Sequence, residues 1–235
     1  MDLSPETARH RLARPGAGLL VDLDGTLVDS EAAHQAAFQE YFAARGWEVS
    51  DHVTRGFAGR RAHEVFASVE GPWGEEDPHA LTRAVVDTLR AADVRPSEVP
   101  GAARLLSACV STGLPVAVVT SASREWALAA LRSLRVADGT IGMVTGEDCA
   151  LGKPAAEPFR RGAELLGIDP LELVAIEDAP AGIASAKAAG VGLIVGVTTG
   201  HSAQALFSAG ADEIACDLIL LADGIAARRP RGRTL

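Results

Sequence analysis

Asp22 and Asp24 stand two residues apart at the end of the apolar run Leu19-Leu20-Val21, and Gly25 follows at once. Such a run has strand character, and the glycine offers a turn just beyond it. In a straight strand, residues two apart share a face; a turn at Gly25 lets both acids converge on one small group. Two carboxylates facing an anionic centre require a cation. The chemistry that fits is attack of a carboxylate on a phosphoryl group beside a hard divalent ion, with Mg²⁺ the first candidate. Asp22 is the candidate nucleophile. Asp24 is the candidate acid that protonates the leaving oxygen, then the base that takes a proton from the hydrolytic water. The competing reading is structural: both acids cap a turn, and Asp29 or Ser30 starts the next helix.

The elements that must position these acids can be read from hydrophobic patterning. Residues 1–17 are polar, contain Pro5 and Pro15, and read as a loose lead-in. Beyond Ser30, a possible helix cap, Ala33, Ala36, Ala37, Phe38, Tyr41 and Phe42 recur at helical spacing up to about Gly46. Two more helical stretches follow, at 63–69 and 79–91, with no strand-like run between Val53 and Pro96. Residues 31–99 therefore read as an all-helical insertion, whose return is marked by Pro96, Pro100 and Gly101. Then helices (102–112, 124–134, 156–166, 181–189) alternate with apolar runs (116–120, 141–145, 173–176, 192–197). Continuous apolar runs suit parallel strands covered on both faces, so the expected fold is a doubly wound, Rossmann-like α/β core of residues 1–30 and 100–235 with a helical cap at 31–99.

In such a fold ligands bind beyond the carboxyl ends of the strands. Three further candidates stand there. Thr120-Ser121-Ala122-Ser123 leaves a strand just before a helix, where hydroxyls and amides suit a phosphate oxygen, or simply cap the helix. Gly152-Lys153-Pro154 offers an ammonium that can neutralise phosphate charge, on a loop stiffened by Pro154. The chain contains only two lysines, Lys153 and Lys187, against many arginines, which singles out this compact charge. Glu177-Asp178 leaves an apolar strand, where two acids are costly without a cation; Asp178 is a direct metal-ligand candidate and Glu177 a direct or water-mediated one. Asp22 and the main-chain carbonyl of Asp24 would complete that set.

These four segments, in this order from Asp22 to Gly190, resemble the four motifs of the haloacid dehalogenase superfamily, the aspartyl-phosphate-forming phosphatases and mutases. The first is Asp22-Leu-Asp24-Gly25-Thr26-Leu-Val-Asp29-Ser30 and the fourth takes the Glu-Asp form. The resemblance implies a Mg²⁺-dependent core whose helical cap closes over the substrate. It selects Ser121 as the phosphate-binding hydroxyl, with the Ala122 amide beside it and Thr120 as the fallback, and puts Gly25 and Thr26 among the substrate-contacting residues. Ala156 departs from the proline that small-polyol and sugar phosphatases often carry there.

Asp24 argues against dehalogenase activity, and the absence of lysine from residues 31–99 argues against a phosphonate hydrolase. A sugar phosphomutase of the beta-phosphoglucomutase kind also needs Asp22 and Asp24 but tends to carry valine at the Thr26 position, which favours hydrolysis. Gly59-Arg60-Arg61 looks like the cap of small sugar or polyol phosphatases, including glycerol-3-phosphatase. Arg60 could reach the site, or Arg60 and Arg61 could be a solvated helix start. His34 resembles a cap position near the substrate, or is a surface histidine. Phosphoglycolate is a further candidate substrate. A regulatory protein without turnover would be expected to have lost one of these groups, and none is lost.

A net charge of −9 argues against non-specific nucleic-acid binding. Arg228, Arg229, Arg231 and Arg233 read as a solvated, disordered tail. Cys109, Cys149 and Cys216 form no paired motif, so neither a disulfide framework nor a zinc site is expected. With no signal-peptide core and no run of membrane-spanning length, the expectation is a cytoplasmic enzyme acting on a small phosphorylated molecule, as a monomer or weak homodimer, without membrane or nucleic-acid partners.

Overall fold

The computed structural model describes residues 4–92 and 96–228. A six-stranded sheet forms its centre: β1 (Gly18–Val21), β4 (Val116–Val119), β5 (Gly142–Val144), β6 (Leu173–Glu177), β7 (Leu193–Val197) and β8 (Glu213–Ala215), in the spatial order β5-β4-β1-β6-β7-β8. Every pairing in it is parallel. The long strands are buried on both faces, and alternate residues supply opposite cores, as the pleat requires. Leu19, Val21, Val116, Val118, Val174 and Ile176 face one layer, built from α1 (Glu6–Leu12), α6 (Ala102–Thr112), α7 (Arg124–Ser133) and α11 (Ile219–Ala226). Leu20, Ala117, Val119, Leu173 and Ala175 face the other, built from α8 (Glu157–Leu166), α9 (Pro180–Ala188) and α10 (Ala203–Ala209). The expected doubly wound α/β core is present.

Between β1 and β4 lie β2 (Val28–Asp29), α2 (Glu31–Ala44), α3 (Asp51–Arg55), α4 (Ala62–Ser68), α5 (Pro78–Ala91) and β3 (Ser97–Glu98). These helices bury an aromatic cluster of their own, in which Phe38, Phe42, Phe57, Phe66 and Trp73 meet with ring centroids 4.4 to 6.4 Å apart. The insertion is not wholly helical. At its neck β2 and β3 pair antiparallel, Val28 opposite Glu98, in a two-residue ladder too short to leave a period in the sequence.

The lead-in also differs from expectation. Residues 6–12 are helical, with Ala8 and Leu12 buried, because the Glu213 carboxylate accepts the Thr7 and Ala8 amides at 2.7 and 2.9 Å. An anion on the orphan donors of a first turn stabilises a helix too short to persist alone. Of the tail arginines, Arg228 is half-buried with its amide bonded to Ile225 O; Arg229, Arg231 and Arg233 lie outside the described residues. No described helix is long and apolar enough to cross a membrane.

Register brings the candidate residues together. Val21 stands opposite Val118 of β4 and Ile176 of β6, so Asp22, Thr120 and Glu177 leave neighbouring strands at one edge of the sheet. The strand order reverses between β1 and β6, and Asp22 and Glu177-Asp178 flank that switch point.

Candidate active site

Asp22 emerges from β1 with its amide donating to Ile176 O at 3.0 Å, and its carboxylate is buried. Lys153 is fully buried and serves three partners: Asp22 Oδ1 at 2.5 Å, Glu177 Oε1 at 2.6 Å and Val119 O at 2.9 Å. Its ammonium lies 5.3 Å from the Phe159 ring centroid, in cation–π range. The Lys153–Pro154 peptide is cis. Burial pulls the Lys153 pKa down, yet the charges of Asp22 and Glu177 outweigh it and hold the amine above its ordinary value.

Asp22, Glu177 and Asp178 each offer a carboxylate oxygen within 4.8 Å of the others, and all three are buried. Burial pushes the Asp22 carboxyl well above the usual range, with Lys153 opposing and Glu177 adding to the rise. Burial raises Asp178 as well, reinforced by Glu177, Asp22 and Glu31. Three carboxylates against one ammonium leave a buried excess of negative charge. Asp178 Oδ2 is buried without a hydrogen-bond partner, while Asp178 Oδ1 accepts the Thr26 hydroxyl at 3.4 Å. Hard oxygen donors, uncompensated charge and an orphaned oxygen together fit a divalent cation such as Mg²⁺. The backbone makes room for this cluster. Gly25 has φ +81°, and a Cβ there would lie 2.2 Å from Asp178 Oδ2; one at Gly182 would lie 1.7 Å from Glu177 Oε1.

A cavity of about 450 Å³ opens beside Asp22 between the core and residues 31–91. Asp24, Thr120, Ser121, Ala122, Arg60 and His34 line it, so most of the predicted site residues meet on one surface. Their hydrogen bonds differ from simple expectation. Ser121 Oγ donates to Gly59 O at 2.9 Å, and the Ala122 amide donates to Thr120 Oγ1 at 3.0 Å. Both groups chosen for phosphate thus hold protein partners. The Thr26 side chain is buried against Asp178 rather than on the cavity wall. Arg60 and Arg61 are not a solvated pair: Arg60 lines the cavity, and Arg61 is buried. Arg61 donates to the carbonyls of Gly146, Cys149 and Ala150 and pairs with Glu64, which accepts the Gly152 amide at 3.0 Å. The start of α4 is in this way fastened to the loop that carries Lys153.

Three groups escaped the sequence reading. Ser30 stands at the N-cap of α2 but makes no side-chain cap; its hydroxyl donates to Asp24 Oδ1 at 2.6 Å. Trp126 of α7 donates its indole N–H to the same oxygen at 2.8 Å. Glu31 is buried at the cavity, and burial raises its carboxyl, with His34 opposing and Asp24 adding to the rise. A tryptophan in an apolar helical pattern and a glutamate in a first turn look like ordinary helix residues. Nothing local marks either as part of a site.

A sequence model described as haloacid dehalogenase-like hydrolase matches residues 19–195. The validoxylamine A 7'-phosphate phosphatase of Streptomyces hygroscopicus subsp. limoneus is 36% identical over 191 residues, covering 81% of this chain and 89% of that protein. The beta-phosphoglucomutase of Mycobacterium bovis is 32% identical over 232 residues, covering 85% and 88%. A hydrolase from Pseudomonas syringae shares the fold, with a TM-score of 0.78 at 24% identity over 88% of this chain and 96% of that one. The match spans all four strand-end segments from Asp22 to Asp178, and on that ground the chain belongs to the haloacid dehalogenase-like hydrolase family.

Proposed function

We propose that this protein is a Mg²⁺-dependent phosphomonoesterase that acts on a small phosphorylated metabolite, a sugar or polyol phosphate, through an aspartyl phosphate on Asp22. The observation that carries the reading is Asp22 itself: a buried strand-end carboxylate held by Lys153, beside a carboxylate cluster and with Asp24 two residues on at the same cavity. The validoxylamine A 7'-phosphate phosphatase relative supports a sugar-like leaving group. The cavity wall also carries apolar surface, from Phe38, Val85, Val86, Leu89 and Trp126, against which the carbon skeleton of a leaving group can pack.

In this reading Asp22, Glu177 and Asp178, with the main-chain carbonyl of Asp24, hold the cation. When bound, Mg²⁺ offsets the repulsion between an anionic nucleophile and an anionic phosphate. Asp22 attacks phosphorus while Lys153 neutralises charge on its carboxylate and on the transferred group. Asp24 gives its proton to the departing alcohol and recovers one from the water that cleaves the aspartyl phosphate. Ser121 and the Ala122 amide exchange their protein partners for phosphate oxygens, while Arg60 and His34 contact the leaving group. Residues 31–99 form the cap and residues 1–30 and 100–235 the core.

A second reading, sugar phosphomutase, is supported by the beta-phosphoglucomutase relative. Phosphate release from hexose, polyol, glycerol and glycolate phosphates, with Mg²⁺ or chelator, separates the two. Metal-dependent release that Asp22→Asn lowers by about 10³-fold or more supports the phosphatase. Interconversion of glucose 1- and 6-phosphates without release supports the mutase, and neither activity counts against both.

A further inference from the structure

We propose that Trp126 is a positioning residue for Asp24: with Ser30 it occupies one carboxylate oxygen and thereby presents the proton of the other to the leaving group. The proposal rests on the phosphatase reading above.

The indole N–H can only donate, and it donates to Asp24 Oδ1 at 2.8 Å. Ser30 Oγ donates to that same oxygen at 2.6 Å. An oxygen that already accepts two hydrogen bonds is a poor place for a proton, which would meet two donors head on. The acid proton therefore resides on Oδ2, to which no described residue donates, on a side chain that lines the cavity. Two donors on one oxygen also fix the plane of the carboxyl group, so the Oδ2 proton has a set direction.

The surroundings of Trp126 hold the donor in place. Its backbone amide donates to the Ser123 hydroxyl that caps α7, at 3.3 Å. Its ring packs on the core layer and lies 5.8 Å from the His34 ring of α2. Packing alone would be met by leucine or phenylalanine; only tryptophan's donor accounts for the bond to Asp24. Ser30 makes no backbone cap in spite of its N-cap position, so its hydroxyl too is committed to Asp24.

In the first half-reaction a bond forms between an Asp22 oxygen and phosphorus, the bond from phosphorus to the ester oxygen breaks, and that oxygen leaves as the alcohol with the proton from Asp24 Oδ2. In the second, water oxygen bonds to phosphorus, the Asp22–phosphorus linkage breaks, and a water proton returns to Asp24 Oδ2. The alcohol and hydrogen phosphate are released, and both carboxyl groups are restored. The first half needs the acid most when the leaving alcohol is strongly basic.

Trp126→Phe keeps the ring and deletes the donor. The measurement is kcat/KM with Mg²⁺ for a series from p-nitrophenyl phosphate to alkyl phosphates, since kcat/KM reports events up to departure of the alcohol. The expected loss grows with leaving-group basicity, from a few-fold for the nitrophenyl ester to about a hundredfold for an alkyl ester. Ser30→Ala is expected to show the same trend and carries the test if Trp126→Phe does not fold. A loss equal across the series in both variants, or one confined to KM, reduces Trp126 to packing and overturns the proposal. Failure of the wild type to release phosphate from any ester overturns the phosphatase reading instead, before a variant is compared.

Discussion

Lys153 is the residue on which the charge balance of the site turns. It is the only cation bonded to Asp22 and Glu177 among the described residues, and all three side chains are buried. Removing one member of such a group leaves the others uncompensated, a loss of about 3–5 kcal/mol. Lys153→Met is therefore expected to lower thermal stability in chelator and to regain more of it on adding Mg²⁺ than the wild type gains. Thermal unfolding with and without Mg²⁺ checks this; an equal gain in both proteins would mean that Lys153 and the cation do not share the same carboxylates. The value of a compact ammonium here was legible in the sequence, because a chain with two lysines sets one between Gly152 and Pro154. Its three bonds were not legible, since Val119 and Glu177 reach it only once β4 and β6 flank β1.

At the scale of elements, the alternation of apolar runs with helical patterns located β4 to β7 and α6 to α9 to within a residue or two, and left α10, β8 and α11 unread. The misses have physical causes. The Glu6–Leu12 helix depends on a carboxylate from Glu213, more than two hundred positions away. The β2–β3 ladder has no length in which a period could show. The junction between α4 and the 146–152 loop was invisible for the same reason, because Arg61 finds its carbonyls 85 to 89 residues downstream. Losing several hydrogen bonds from a buried charged donor leaves carbonyls and Glu64 without their partner, at a cost of about 1–3 kcal/mol. Arg61→Met is expected to destabilise the protein by that amount and to speed amide exchange at Gly152, whose N–H is held by Glu64. Hydrogen exchange resolved to single amides tests it; unchanged protection at Gly152 would show that Arg61 does not fasten the loop.

For the whole molecule, pH acts on the same carboxylates that are proposed to hold the metal. Asp22 and Asp178 have folded-state pKa values above their ordinary ones, chiefly through burial. Between the ordinary and the raised value the folded state binds more protons than the unfolded, so stability falls as pH rises through that window, and the penalty is complete above it. Glu157 acts in the opposite sense. The amides of Leu151 and Ala150, with Arg161, lower it to about 2, so its contribution is present above its unfolded value and lost as pH falls toward 2. The metal-free protein is therefore expected to lose thermal stability as pH rises above the ordinary carboxylate range, and Mg²⁺, on binding the deprotonated cluster, to reverse the loss. The Mg²⁺-induced rise in Tm should grow with pH; a rise as large at pH 5 as at pH 8 would argue against the buried carboxylates as its site.

The sequence by itself determined the family and which chain segments carry the acids, hydroxyls and lysine proposed to do its chemistry. Apolar runs of strand length end in Asp22, Thr120 and Glu177, and a parallel α/β sheet brings strand ends to one edge whatever its detailed packing. Tertiary structure decided which atom each polar group meets. Ser30 could cap a helix or hold Asp24, Thr26 could face substrate or Asp178, and Trp126 could be plain core; each choice was set by a neighbour on another element. Hydrogen bonds reach only about 3 Å, so a contact between residues 102 positions apart, such as Trp126 to Asp24, exists only where packing has closed the distance.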